Sequence, residues 1–406
     1  MNIRNVFLLA SAIVFFAAGG VSKLSAQINF SGLLDSSVFL RAGAGDAQAF
    51  SYGFEKYANM RMTARMREVG TIFADVNLIA LAGDPAVAAA AMGMPFASGP
   101  NFIAGFDLER LFFRLNTDNT RLDGGLMRIP IGYGLVWRPT DFLNPPNPLV
   151  ANARPRGVLG AEFSWWPTFD MKFVGFAATP RDPFSRWGGG TRVGVTLERE
   201  WDRIVVKGIY AFELPRGGPG SSFPADPDLH PLIPSAEFGV HRVGLSVKAD
   251  MELGFALDVL YSYNHEQQTR LDGLAVSAGF DYSFFGGSLL VVAEYLFSGA
   301  ASSTAIEGGG HLGNRHYLYT GFTWIFNDFT NAGVALISGF SDLSFTPIAT
   351  FNREIFQGAT LALTAQVPLD RDLLFGDGNR GEFGPLPPGR NSGRHFDFSA
   401  MLRLRF

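Results

Sequence analysis

Apolar and polar residues alternate with a period of two in segments of about ten residues along most of this chain. Successive side chains of a β-strand point to opposite sides, so this period predicts strands with one apolar and one polar face. The clearest example runs from Glu252 to Asn264, where Leu260 alone breaks the polar set. Its apolar set comprises Leu253, Phe255, Leu257, Val259, Tyr261 and Tyr263, and its other set comprises Glu252, Gly254, Ala256, Asp258, Ser262 and Asn264.

The connections between these segments alternate between short and long. Short turns are expected near Val69-Gly70, Asn116-Thr120, Pro167-Thr168, Trp201-Asp202, Asp250-Met251, Phe285-Gly287, Asn327-Thr330 and Gln357-Gly358. Long connections are expected at residues 83–105, 137–157, 214–237, 299–314 and 369–394. Transmembrane barrels require this parity, with short periplasmic turns and long outer loops, whereas soluble sandwiches do not. The pattern predicts an all-β fold, a transmembrane antiparallel β-barrel of about 18 strands, with 14–16 as alternatives.

The first 26 residues have the pattern of a secretory signal peptide. Arg4 precedes an apolar core from Val6 to Ala18, which Ser11 interrupts, and Ala26 offers a cleavage site before Gln27. The apolar core is shorter than the roughly 20 residues that a membrane helix needs. We therefore expect residues 1–26 to be a signal peptide and residues 27–406 to form the barrel.

Composition limits the classes of function. Loss of Arg4 and Lys23 with the signal would leave 31 basic and 37 acidic residues, a net charge of −6, which argues against a nucleic-acid partner. The chain has no cysteine, so a disulfide framework, a thiolate metal site and a cysteine nucleophile are excluded. The six histidines show no metal-ligand spacing. We expect no cofactor, no metal and no enzymatic activity.

The last strand resembles the final strand of Gram-negative outer-membrane proteins. It runs Phe-Asp-Phe-Ser-Ala-Met-Leu-Arg-Leu-Arg-Phe and ends on the aromatic residue Phe406. In that group the final strand is a signal for the barrel-assembly machinery, and the resemblance assigns this role to Phe406. It also implies the bacterial outer membrane as location, with outer-membrane lipids and the assembly machinery as partners.

A second, local resemblance covers the stretch from Arg128 to Pro145. Trp137, Pro139, Asp141 and Asn144 fit the Trp-x-Pro-x-Asp-x-x-Asn-Pro pattern of several poorly characterised porin-like families. A proline-rich turn cannot continue strand pairing, and Asp and Asn side chains bond nearby backbone. Two interpretations stay open, a loop folded into the lumen as a constriction and a rigid turn at the rim.

The polar faces also suggest a charge pattern inside the pore. Arranged around a ring of strands, the basic residues gather on one arc and acidic residues gather on the opposite one. The two arcs would set up a transverse field, unless the charges pair locally and brace the wall. The basic arc comprises Arg61, Arg65, Arg67, Arg110, Arg114, Arg128, Arg403 and Arg405, and the acidic arc comprises Asp258, Asp281 and Glu294.

These features favour an outer-membrane, porin-like channel for passive diffusion of small hydrophilic solutes. Two alternatives remain, a transporter of hydrophobic compounds and a non-conducting surface adhesin or structural barrel. Both a monomer and a homotrimer are open for a chain of this type.

Overall fold

A computed structural model describes most of the predicted barrel and leaves the predicted signal peptide almost wholly outside. The described residues are 26–44, 50–66, 70–83, 94–99, 101–144, 157–179, 190–214, 239–263, 271–299, 315–369 and 394–406. Arg67 of the basic arc therefore lies outside the described residues. Within them, no helix has the length and apolar character needed to cross a membrane.

The described chain contains nineteen β-strands, all in one antiparallel sheet. The first ten are β1 Ala26–Ala44, β2 Phe50–Met66, β3 Gly70–Gly83, β4 Met94–Gly99, β5 Phe102–Asn116, β6 Thr120–Met127, β7 Val158–Thr168, β8 Met171–Thr179, β9 Arg192–Trp201 and β10 Ile204–Glu213. The other nine are β11 Val240–Asp250, β12 Gly254–Tyr263, β13 Leu274–Phe284, β14 Leu289–Ser298, β15 His316–Asn327, β16 Thr330–Gly339, β17 Ser344–Phe356, β18 Ala359–Gln366 and β19 Arg394–Arg405.

Eighteen of these strands form a closed ring, which confirms the predicted strand number. Each strand pairs with the next, β3 pairs with β5, and β19 closes the barrel against β1 over the register from Leu33–Arg405 to Ala44–Arg394. Closure removes the exposed sheet edges that would otherwise present unpaired backbone groups.

The nineteenth strand, β4, continues the wall beyond the end of β6, which is only eight residues long. One edge of β5 pairs with β3 along almost its whole length. Along its other edge, residues 111–116 pair with β6 and residues 102–106 pair with β4. The chain therefore leaves the wall after Met127, only eight residues into β6, and β4 continues the sheet beside the upper half of β5.

Seven of the eight expected short turns lie within the described residues, all at one end of the barrel, here called the turn end. The eighth, near Val69-Gly70, falls partly on residues 67–69, which lie outside the described residues. The opposite end of the strands is here called the loop end. The prediction for residues 83–105 was wrong in part, because this span contains β4 and the first residues of β5. Six residues including Pro95 are too short to show a period of two.

The two faces of the wall differ as the alternation predicted. On β12, Phe255, Leu257 and Val259 point outward, whereas Ala256, Asp258 and Ser262 point inward and are buried. Large apolar side chains are exposed on the outside around the ring, among them Phe163, Val195, Leu245, Phe322 and Val334. A continuous apolar outer face is what the hydrocarbon core of a membrane requires.

Candidate functional site

The chain enters the lumen where it leaves β6, and residues 128–144, here called the luminal segment, run across the inner wall. Ile129, Ile131 and Phe142 of this segment are almost fully buried and pack with inward-facing Phe176 of β8 and Leu260 of β12. Each buried apolar side chain of this size contributes about 1.5–3 kcal/mol. The segment is therefore packed against the wall as part of the core.

Two residues of the predicted motif fold the luminal segment back on itself. The Ile129 amide donates to Asn144 Oδ1 over 2.7 Å, and the Asp141 carboxylate accepts from the amides of Ile131 and Asn144. Asn144 and Asp141 thus bind the amides of Ile129 and Ile131, two alternate residues at the start of the luminal segment. Burial raises the pKa of Asp141 to about 7, although the nearby Arg138 acts in the opposite direction.

The other two residues of the motif are also buried inside the barrel. The Trp137 ring lies 6.0 Å from the ring of Tyr317 and 6.3 Å from that of Tyr319, both on β15. It belongs to an apolar cluster with Leu296 and Ile337, and Pro139 is buried beside it in the chain. The motif therefore lies in the lumen and not at the rim.

Two residues of the predicted acidic arc hold residues 132–136, here called the tip of the luminal segment. Asp258 accepts hydrogen bonds from the amides of Tyr133 and Gly134, and Glu294 accepts one from the amide of Val136. Asp258 is 0% exposed and Glu294 is 1% exposed. These two carboxylates thus face the segment and not open lumen, contrary to the expectation that they line the pore.

Basic residues of the wall hold the carbonyl groups of the segment. Lys207 Nζ donates to the Ile131 carbonyl over 3.0 Å and lies 3.0 Å from Glu198 Oε2. The Tyr133 hydroxyl donates to the same carboxylate over 2.6 Å, while its ring lies 4.1 Å from Lys207 Nζ. Burial, followed by this hydrogen bond, raises the pKa of Tyr133.

A buried cluster of charged residues supports the end of the luminal segment, at Phe142. Arg192 Nη1 donates to the Phe142 carbonyl over 2.8 Å, and its Nε donates to Glu213 over 2.9 Å. Arg242, which is fully buried, donates to the same Glu213 carboxylate and lies 5.2 Å from the Phe142 ring. Removing one partner from such a buried cluster leaves an uncompensated charge, which costs about 3–5 kcal/mol.

A cavity of about 340 Å³ lies between the start of the luminal segment and the wall from β5 to β10. Its lining includes six basic residues and three acidic ones. The basic residues are Arg110, Arg114, Arg121, Arg128, Lys172 and Lys207, and the acidic residues are Asp123, Glu162 and Glu198. Asp75 and Glu109 lie beside the lining and pair with Arg110 and Arg128, so the local excess is one positive charge.

Five residues of the basic arc form ion pairs with neighbouring strands. Arg61 and Arg110 both bind Asp75, Arg114 binds Asp123 through two hydrogen bonds of 2.8 Å, Arg128 binds Glu109, and Arg403 binds Asp35. Glu109 reaches the interior through a register shift between β3 and β5, which turns it inward beside Arg110. The arc is thus braced by local pairing.

The remaining predicted residues occupy separate places. Arg65 and Arg405 are exposed near the turn end, and Asp281 lies on the inner face of β13 opposite Gly254. Phe406 exchanges backbone hydrogen bonds of 2.8 and 3.1 Å with Gly32 of β1, and its ring lies against this glycine on the outer face.

Lys172 differs from the other basic residues of the cavity. Within the described parts of the chain, no carboxylate lies in ion-pair contact with its ammonium group, whose nearest recorded partner is the Trp166 ring at 5.4 Å. The sequence analysis missed it, together with Lys207 and Glu198, because one inward-facing lysine on β8 is an ordinary feature of a polar wall.

The barrel resembles solved outer-membrane structures, although no protein-family model and no curated protein sequence matches the chain. Acinetobacter baumannii OccAB4 is 12% identical with a TM-score of 0.54, and the match covers 95% of this chain and 100% of that one. Pseudomonas aeruginosa OccK2 (OpdF) is 10% identical with a TM-score of 0.55, over 94% and 98%. Pseudomonas aeruginosa OpdK with vanillate is 8% identical with a TM-score of 0.56, also over 94% and 98%. At such identities the likeness lies in the fold.

Proposed function

We propose that this chain is an outer-membrane, porin-like channel for the passive diffusion of small hydrophilic solutes, and that it favours anions. The observation that carries the proposal is the cavity with a predominantly basic lining, in which Lys172 forms no ion pair with a described residue, enclosed in a closed barrel beside a segment that narrows the lumen. The apolar outer face supports a membrane location, with the turn end in the periplasm and the loop end outside the cell. The Occ and Opd neighbours are outer-membrane porins.

The preference for anions follows from how the charges of the cavity are compensated. Most of its basic residues pair with a carboxylate, whereas Lys172 forms no ion pair with a described residue. Its ammonium group lies 5.4 Å from the Trp166 ring, and Glu162 and Glu198 attract it from beyond ion-pair distance. An anion about 4 Å from an ammonium group gains about 1 kcal/mol in water and about 4 kcal/mol at an effective dielectric constant of 20. Vanillate in the OpdK structure is itself a small carboxylate.

The charged lining disfavours the alternative of a transporter for hydrophobic compounds, which needs an apolar internal track. We keep the proposed transverse electric field across the pore, but no longer place an acidic arc opposite the basic one. Because Asp258 and Glu294 are covered by the luminal segment, the field arises from the excess of basic residues at the cavity.

Planar-bilayer recordings in a salt gradient test the proposal. We expect stable open steps and a reversal potential that indicates anion selectivity. Lys172→Gln should lower the anion-to-cation permeability ratio roughly fivefold, the effect of about 1 kcal/mol. Lys56→Gln is the matched control, because Lys56 lies on the outer face of β2 beside Ser36. Inserted barrels that stay electrically silent would favour an adhesin or structural role, and equal ratios in both variants would contradict the role of Lys172.

Two further parts of the proposal concern assembly. The pairing of Phe406 with Gly32 at the barrel closure supports a role of this residue in recognition by the barrel-assembly machinery. A homotrimer remains a proposal, which cross-linking in native membranes can test.

A further inference from the structure

The tip of the luminal segment binds a carboxylate that the wall supplies. Asp258 of β12 accepts hydrogen bonds from the amides of Tyr133 and Gly134, both of 3.2 Å. It also accepts from the hydroxyl of Thr140 over 2.8 Å and from that of Ser246 over 2.6 Å. Three of these four donors belong to the segment, so the buried charge of Asp258 is compensated largely by the segment itself. A buried carboxylate without such donors would be costly.

The two glycines of the tip are necessary for this approach. A Cβ atom at Gly132 would lie 2.5 Å from both Asp258 Oδ2 and Thr140 Oγ1. At Gly134 it would lie 2.3 Å from the Trp137 carbonyl oxygen and 3.1 Å from Glu294 Oε1. At Gly134 the nearest atom belongs to the backbone and excludes a side chain, and at Gly132 a side chain would require the Asp258 and Thr140 oxygens to move. The sequence Gly-Tyr-Gly therefore lets the backbone reach the two carboxylates.

Glu294 holds the end of the tip on the next part of the wall. This residue of β14 accepts from the Val136 amide, and Trp137 packs directly beyond on Leu296 and Tyr317. The hydrogen bond of Val136 and the packing of Trp137 thus lie side by side at β14 and β15. β14 is eight strands around the ring from β6, where the segment begins.

The geometry points to Asp258 and Glu294 as positioning residues: they hold the tip of the luminal segment against the far wall and thereby set the width of the passage. The effect on width rests on the proposed channel function, whereas the docking itself does not. Loss of the Asp258 carboxylate removes the partner of three segment groups, and loss of the Glu294 carboxylate removes the partner of the Val136 amide. In either case the tip should leave the wall and alter the passage.

The absence of cysteine from the chain makes a direct test possible. A single Val136→Cys substitution places a thiol at the tip, where Val136 is half-buried. Its reaction rate with a charged methanethiosulfonate reagent reports how far the tip is exposed in the folded full-length barrel. We expect labelling at least tenfold faster when Asp258→Asn or Glu294→Gln is added. Asp281→Asn is the matched control, because it removes an inner-wall carboxylate that has no recorded hydrogen bond to the segment in the described residues.

Gly132→Ala tests the same docking from the other side if the wall variants fail to fold. It leaves every wall residue unchanged and places its Cβ against Asp258, so faster labelling is again expected. Labelling at the parental rate in folded wall variants, or in folded Gly132→Ala where those do not fold, would overturn the proposal.

Conductance separates the proposal from the function on which it rests. A wider single-channel step that accompanies faster labelling supports the role in setting the width. Faster labelling with an unchanged step overturns that role. A parental barrel without any conductance contradicts the proposed channel function, and the labelling rates then still decide whether the carboxylates hold the tip.

Discussion

An arginine at Leu257 tests whether the outer face of the barrel lies in lipid. Leu257 points outward on β12 and lies four residues above Leu253 in the turn between β11 and β12. A strand that rises about 3.4 Å per residue and tilts about 40° gains roughly 2.6 Å in height per residue. Leu257 thus lies about 10 Å above the turn, close to the middle of an apolar band about 25 Å tall.

Leu257→Arg should lower the free energy of unfolding by about 2–4 kcal/mol, the cost of arginine at the midplane. This corresponds to roughly a 30- to 1,000-fold change in the folding equilibrium constant. Urea unfolding from lipid vesicles, followed by the fluorescence of the six tryptophans, measures it.

The matched control is Thr364→Arg, on the inner face of β18 six residues above Gly358. Thr364 is half-buried between Thr350 and Ser399, so an arginine there reaches the aqueous lumen. Ser262 also points inward but is 3% exposed, and an arginine at this position would disturb packing. Equal penalties at Leu257 and Thr364 would refute the assignment of the two faces.

Two further predictions concern the end of the chain and the luminal segment. Deletion of Phe406 should reduce the amount of heat-modifiable barrel in the outer membrane while export continues, and normal assembly of the shortened chain would contradict its role as a signal. For Asp141, the folded pKa of about 7 lies above the usual aspartate value of 3.8, so the folded protein keeps a proton that the unfolded chain releases between these values. Stability should therefore fall as the pH rises from about 4 to 7, and Asp141→Asn should flatten this part of the profile of unfolding free energy against pH. Identical slopes in both proteins would show that Asp141 does not titrate in this range.

Much of the barrel could be predicted because each strand faces lipid on one side and the polar interior on the other, so every residue of the strand carries information about its direction. The alternation around Leu257 and the short turns follow from local sequence, and they gave the strand number and the direction of each face. The strand β4 was missed because its six residues, including Pro95, are too few to show a period.

The site was harder to predict because it depends on contacts between distant parts of the chain. Asp258 lies more than 110 residues from the segment that covers it, and an inward carboxylate looks the same in sequence whether it meets water or backbone amides. One signal was present. Leu260 breaks the polar set of β12, and inward Ile209 and Leu296 do the same on β10 and β14, because the luminal segment packs on them.

Because the chain leaves β6 early, variation in the loops is separated from the position of the luminal segment. Loops that connect strands tolerate insertions and vary in length more than the strands themselves. The luminal segment, in contrast, starts from within the wall, at Arg128, and its height is set by the pairing of β6 with β5 and β7. Changes in the outer loops can therefore accumulate without moving the starting point of the segment beside the cavity, so that surface variation and solute selection can evolve independently.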